Sequence, residues 1–203
     1  MTASPLRVGV FGGAFDPPHL AHLALAATAL QQLKLDELRV VPTGQAWHKS
    51  RVLSPAEHRV AMARLAFAPL SQVVIDERET RRSGPSYTID TLRELKTERP
   101  GIELFLLIGG DQARALPTWR EAGEVVKCAT ICIADRQDSA RLEGIKSSNF
   151  LVPGQFVRLQ MPLSHINATD IRRCASANED VSPLVGAAVA RYIAQHHLYS
   201  TST

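Results

Sequence analysis

The 203-residue chain is 45% hydrophobic and 21% charged, a globular composition long enough to bury a substantial core. Its 23 Lys and Arg against 20 Asp and Glu leave a net charge of +3, scattered along the sequence, which suits a small anionic ligand better than a nucleic acid. The most apolar run, Leu20 to Leu33, is broken by His22, Thr28 and two glutamines, so neither a membrane span nor a signal peptide is expected, and the cytoplasm is the default compartment.

In chain order, Leu6 to Phe11 reads as a buried strand. Leu20 to Leu33 reads as a helix, with Leu20, Leu23, Ala24, Ala27 and Leu30 at helical spacing. Leu38 to Val41 is a second strand, ended by the turn Pro42-Thr43-Gly44. Pro55 to Phe67 predicts an amphipathic helix capped by Ser54, with Glu57 completing a capping box. Val73 to Ile75 is a short strand and Tyr87 to Glu98 a helix; Glu103 to Ile108, Ala129 to Ala134 and Phe156 to Gln160 are further strands, and Val185 to His196 is a final helix. The alternation predicts an α/β fold, a Rossmann-like doubly wound, mostly parallel sheet with helices on both faces. One domain over residues 1–203 is expected, with a C-terminal helical portion from about 165 to 200 packed on it. Cys128 and Cys132 are expected to flank one strand and face the same way, and they and Cys174 to be reduced and buried. Arg136 to Gly154 is the least regular stretch.

In such folds ligands lie beyond the carboxyl ends of the strands, near the switch in strand order. The segment after the first strand is Gly12-Gly13-Ala14-Phe15-Asp16-Pro17-Pro18-His19-Leu20-Ala21-His22. Two glycines let backbone N–H groups approach a ligand closely. Asp16 followed by Pro17 reads as a cap and a first-turn proline. His19 and His22, three apart, project from one face of a first helical turn, whose N-terminus carries partial positive charge. The spacing fits neither the dinucleotide fingerprint nor the P-loop. Taken singly, a glycine pair is more often a plain turn, and paired histidines are more often exposed or zinc-binding. Zinc would need further ligands, and nothing in the sequence brings His48 or His58 to the pair. Together the elements suggest a site for a polyphosphate whose charge shifts during reaction.

The whole string resembles the signature of the nucleotidylyltransferase superfamily. Within it, four further segments resemble bacterial nicotinate-nucleotide adenylyltransferases: Val41 to Lys49, Pro85 to Leu92, Ile108 to Trp119 and Ile166 to Arg172. Ala21 departs from the usual Gly of the signature, and Asn167-Ala168 from Ser-Ser or Ser-Ala. The resemblance implies attack by the phosphate of nicotinate mononucleotide on the α-phosphorus of ATP, with Mg²⁺ accompanying ATP and no dedicated protein metal site. It implies His19, His22, Lys49 and Arg172 as catalytic. Gly12, Gly13, Ala14, Phe15, Asp111 and Thr169 join the two histidines and Arg172 around ATP, with Thr169 as the N-cap of the helix bearing Arg172. Asp16, Thr43, Lys49, Tyr87, Thr88, Trp119 and Arg136 fall to the mononucleotide. Asp111 reads alternatively as a loop cap, Trp119 as a core anchor and Arg136 as a solvated arginine. The competing functions are adenylyl transfer to nicotinamide mononucleotide or to phosphopantetheine, and nucleotide binding without turnover. Partners are expected to be small nucleotides, with no nucleic acid or membrane; the sequence leaves the oligomeric state open.

Overall fold

The computed structural model describes residues 4–44, 52–136, 155–161 and 164–200, with the side chains of Asp135 and Arg136 left aside. Six strands form one sheet: β1 (Arg7–Gly13), β2 (Glu37–Pro42), β3 (Val73–Ile75), β4 (Glu103–Gly109), β5 (Thr130–Arg136) and β6 (Phe156–Met161). Their order is β3-β2-β1-β4-β5-β6 and every neighbouring pair is parallel. Strand order therefore reverses between β1 and β4, and the crevice beyond their carboxyl ends is the switch point.

The sheet is buried on both faces, which is why its strands read as continuous apolar runs. Along β4 and β5 alternate residues enter opposite cores. Phe105, Leu107, Cys132 and Ala134 pack with α1 (Leu20–Gln32) and α2 (Ala56–Phe67). Leu104, Leu106, Ile108, Ile131 and Ile133 pack with α4 (Thr88–Glu98), α5 (Gly110–Ala115) and α6 (Ala122–Cys128). The short α3 (Arg78–Arg81) follows β3. A third cluster, Met62, Ile171, Val181, Val185, Val189 and Ile193, joins α2 to α7 (Ala168–Ser176), α8 (Ser182–Val185) and α9 (Ala187–Gln195). No helix among the described residues is long and apolar enough to cross a membrane.

Polar side chains bond the outer edge of β6 and gather beyond the end of β3. On β6, Gln32 of α1 donates to the Gln160 carbonyl (3.0 Å) and accepts from the Gln160 N–H (3.1 Å). Near β3, the Asp76 carboxylate accepts from Arg39 and Arg78, each at 2.9 Å. Burial pushes the Asp76 carboxyl up, but these two guanidiniums outweigh it and hold it below the usual carboxylate range.

Several local expectations are corrected. Ser54 is not the cap of α2: Pro55 holds that position, without a side-chain cap bond, while Ser54 offers its backbone to Asp16 and Arg59 and its side chain to Tyr199. The final helix is broken at Gly186, whose φ of 84° ends α8 and begins α9. Cys128 ends α6 rather than lying on a strand, so only Cys132 is on β5. Cys132 is fully buried, and burial pushes its thiol up to about 12; Cys128 and Cys174 are partly exposed, and all three are free. The excursion expected at Arg136 to Gly154 lies, from residue 137 on, outside the described residues.

Candidate active site at the β1–β4 switch point

The turn after β1 is built around an aromatic plug. Phe15 has φ of 48°, a left-handed conformation costing a non-glycine residue roughly 1–2 kcal/mol. Its ring is 2% exposed and packs edge-on against Phe11 (5.3 Å) and Phe67 (5.8 Å), burial that offsets the strain. A Cβ on Gly13 would come within 3.0 Å of that ring. A Cβ on Gly12 or Gly109 would meet nothing within 4 Å, so the backbone at the ends of both central strands borders open space.

The chain does not enter α1 at Asp16-Pro17 as expected. The Asp16–Pro17 bond is cis, and the N-cap is His19, extended at φ −146° and ψ 171°. Asp16 is instead a buried brace, 2% exposed. Its Oδ1 accepts from the Tyr199 hydroxyl (2.7 Å), its Oδ2 from the Ser54 N–H (3.1 Å), and its carbonyl from Arg172 Nη1 (2.8 Å).

His19 and His22 do share one face: their rings stack at 3.7 Å between centroids, 17° from parallel. His22 Nδ1 accepts from the His19 backbone N–H at 3.2 Å. An acceptor at Nδ1 leaves the neutral ring's proton on Nε2, so His22 presents an N–H donor from that nitrogen.

Arg172 reaches the same turn from α7. Its guanidinium spans the Asp16 carbonyl and Thr169 Oγ1 (3.1 Å), two bonds that fix its plane. Thr169 is not the N-cap of α7. Asn167 is, its Oδ1 accepting from the Asp170 N–H at 2.9 Å. The amide that departs from the family pattern thus does the work of a cap.

Across the crevice, the Thr43 N–H donates to the Gly13 carbonyl (2.8 Å), tying the end of β2 to β1. Gly44 follows, where a Cβ would sit 2.0 Å from the Glu79 carbonyl and 3.1 Å from Ser86 Oγ; only glycine fits. This closeness sets Thr43-Gly44 beside the start of the segment Ser86-Tyr87-Thr88. Glu79 is buried, and burial raises its carboxyl above the ordinary value despite the Thr91 hydroxyl bonded to Oε1 at 2.8 Å. Tyr87 is the N-cap residue of α4 and Thr88 its first residue; Tyr87 and Trp119 are half-buried against the same core cluster, and the Arg120 guanidinium lies 4.6 Å over the Tyr87 ring. Trp119 thus has the packing of a core anchor and a partly exposed surface. Asp111 lies in the first turn of α5, exposed and paired with Arg114. Arg136 ends β5. Lys49 and His48 lie outside the described residues. No group of three or more His, Cys, Asp or Glu able to hold a metal occurs among the described residues.

The chain is 55% identical over 196 residues to the probable nicotinate-nucleotide adenylyltransferase of Albidiferax ferrireducens, covering 97% of this chain and 99% of that one. It belongs to the nicotinate-nucleotide adenylyltransferase family. A second relative of the same description, from Methylibium petroleiphilum, is 43% identical over 98% of this chain and 96% of its own. The Cytidylyltransferase-like family model matches residues 10–174. Among solved structures, the Plasmodium falciparum nicotinic acid mononucleotide adenylyltransferase complexed with NaAD shares the fold at a TM-score of 0.75 and 20% identity, over 96% of this chain and 97% of that one.

Two residues that brace this candidate site carry little or no signal in the sequence. Arg59 is 2% exposed; its Nη1 donates to the Ala14 carbonyl (3.0 Å) and its Nε to the Ser54 carbonyl (2.9 Å). The available signal is an arginine on a helix face shared with Met62, Ala63 and Phe67. Tyr199 has no such signal, because it lies 183 positions from Asp16, the residue it meets.

Proposed function

We infer that the protein transfers the adenylyl group of ATP to the phosphate of nicotinate mononucleotide, forming nicotinate adenine dinucleotide and pyrophosphate. The stacked His19–His22 pair at the switch point carries this reading. A phosphate oxygen of the mononucleotide attacks the α-phosphorus of ATP, and the bond from that phosphorus to the β-phosphate bridging oxygen breaks. The electron pair leaves with pyrophosphate. The nucleophile is already an anion, so the protein's task is alignment and cancellation of charge growing on the leaving group.

His22 Nε2–H donates to the phosphates, with His19 stacked behind it. The turn from Gly12 to Phe15, exposed at Gly12, receives ATP close to the glycine floor. Arg172, with its plane fixed by Asp16 and Thr169, and Lys49 hold the triphosphate; a guanidinium adds bidentate capacity that an ammonium lacks. Thr43, Tyr87 and Thr88 border the mononucleotide, the exposed face of Trp119 stacks on the pyridine ring, and Arg136 is assigned to the mononucleotide phosphate on the family resemblance alone. Asp111 meets the adenosine from the start of α5. Mg²⁺ would be held by the ATP phosphate oxygens and retained water, and would supply neutralisation of phosphate charge beside Arg172.

The test is pyrophosphate release from Mg·ATP with nicotinate mononucleotide, nicotinamide mononucleotide or phosphopantetheine in parallel reactions. Fastest turnover with the nicotinate nucleotide is expected. A higher kcat/KM with either other acceptor would transfer the protein to that sister activity, and binding without pyrophosphate would make it a non-catalytic module.

A further inference from the structure

Three elements distant in sequence grip the turn Ala14–Asp16: Arg59 from α2, Arg172 from α7 and Tyr199 from beyond α9. Arg172 already has a place in the reaction. Tyr199 does not; its hydroxyl bonds to a carboxylate that is itself 2% exposed. Between Asp16 and His19 stand only Pro17 and Pro18, whose rings fix φ and leave little slack. A displacement of Asp16 is therefore passed on to the imidazole pair rather than absorbed.

We propose that Tyr199 is a positioning residue for adenylyl transfer: through Asp16 its phenol sets the place of His19 and His22 beside the reacting phosphates. This rests on the proposed adenylyl transfer. Burial and the neighbouring Asp16 carboxylate both push the Tyr199 phenol up, so it stays a protonated donor throughout the working pH range. The α7–α9 layer thus reaches the reaction centre by a second route besides Arg172.

The experiment compares Tyr199→Phe with Tyr192→Phe in the full chain. Tyr192 makes the matching control: its hydroxyl pairs with His58 Nδ1 at 2.9 Å in the same helical layer. The parent is assayed first with Mg·ATP and nicotinate mononucleotide, because absence of turnover there would defeat the functional reading and not this one. Tyr199→Phe should lower kcat roughly tenfold, short of the about 100-fold cost of a 1 Å misplacement, with KM values within about threefold of the parent. Tyr192→Phe should leave kcat within twofold. Asp16→Asn, combined with Tyr199→Phe, completes a cycle in which the double variant loses no more kcat than the worse single one. The proposal is overturned by unchanged kcat in folded Tyr199→Phe, by a change confined to KM, by equal kcat losses in the two tyrosine variants, or by losses that multiply in the cycle. Should Asp16→Asn not fold, the two tyrosine variants decide the matter alone.

Discussion

Substituting His22 with asparagine separates two roles that one imidazole carries. Nδ1 accepts the His19 N–H at 3.2 Å, and Nε2 is the donor assigned to the phosphates. Asparagine Oδ1 sits as many bonds from Cβ as histidine Nδ1, so His22→Asn keeps the helix-start acceptor and deletes the Nε2 donor. His22→Ala deletes both. A lost helix-start bond costs about 1 kcal/mol, which in a domain of this size lowers Tm by about 2–4 °C. Loss of a charge-stabilising donor costs on the order of 10²–10⁴ in kcat. The expected pattern is a large kcat loss in both variants, with Tm depressed in His22→Ala and nearly restored in His22→Asn. Initial rates of pyrophosphate release at saturating substrates and differential scanning fluorimetry measure the two quantities on the same samples. If His22→Asn kept kcat within fivefold of the parent, Nε2 would have no part in the chemistry. If the two variants melted together, the Nδ1 bond would contribute nothing to the fold.

His19→Ala should also lose about 10²–10⁴ in kcat, and a near-normal rate in a folded variant would remove His19 from the mechanism. Trp119→Ala should raise KM for the nicotinate nucleotide more than for ATP, since a ring stack is worth roughly 1–3 kcal/mol; equal increases would argue for a packing role alone. Glu79→Gln should flatten the pH dependence of stability. Burial raises the folded-state pKa of Glu79, so its contribution is most favourable below the unfolded value near 4.3 and declines as pH rises through the folded value. Urea midpoints of parent and variant between pH 4 and pH 8 should therefore shift in the variant's favour with rising pH, and parallel curves would contradict the assignment.

The strands were legible because both sheet faces are buried: six apolar runs became six parallel strands, displaced by no more than two residues at either end. Caps were less legible. Ser54 and Thr169 have good capping side chains, but Pro55 and Asn167 occupy the positions, because tertiary bonds to Asp16 and the Asn167–Asp170 pairing decide where the helices start. The helices α3, α5 and α6 span four, six and seven residues, too few for periodicity to register. At the site, the His19–His22 pairing followed from spacing. The bracing of Asp16 did not, since its partners Ser54, Arg172 and Tyr199 are brought to it only by the fold.

The paired amide bonds of Gln32 to Gln160 make one side chain behave as a single rung of a seventh strand. In a parallel ladder the N–H and C=O of one residue point the same way, and Gln32 fills both on the outer side of β6. An incoming strand from another molecule would have to displace that amide before it could extend the sheet. Gln32 is therefore a terminator of templated growth, carried on the same helix whose first turn holds the imidazole pair.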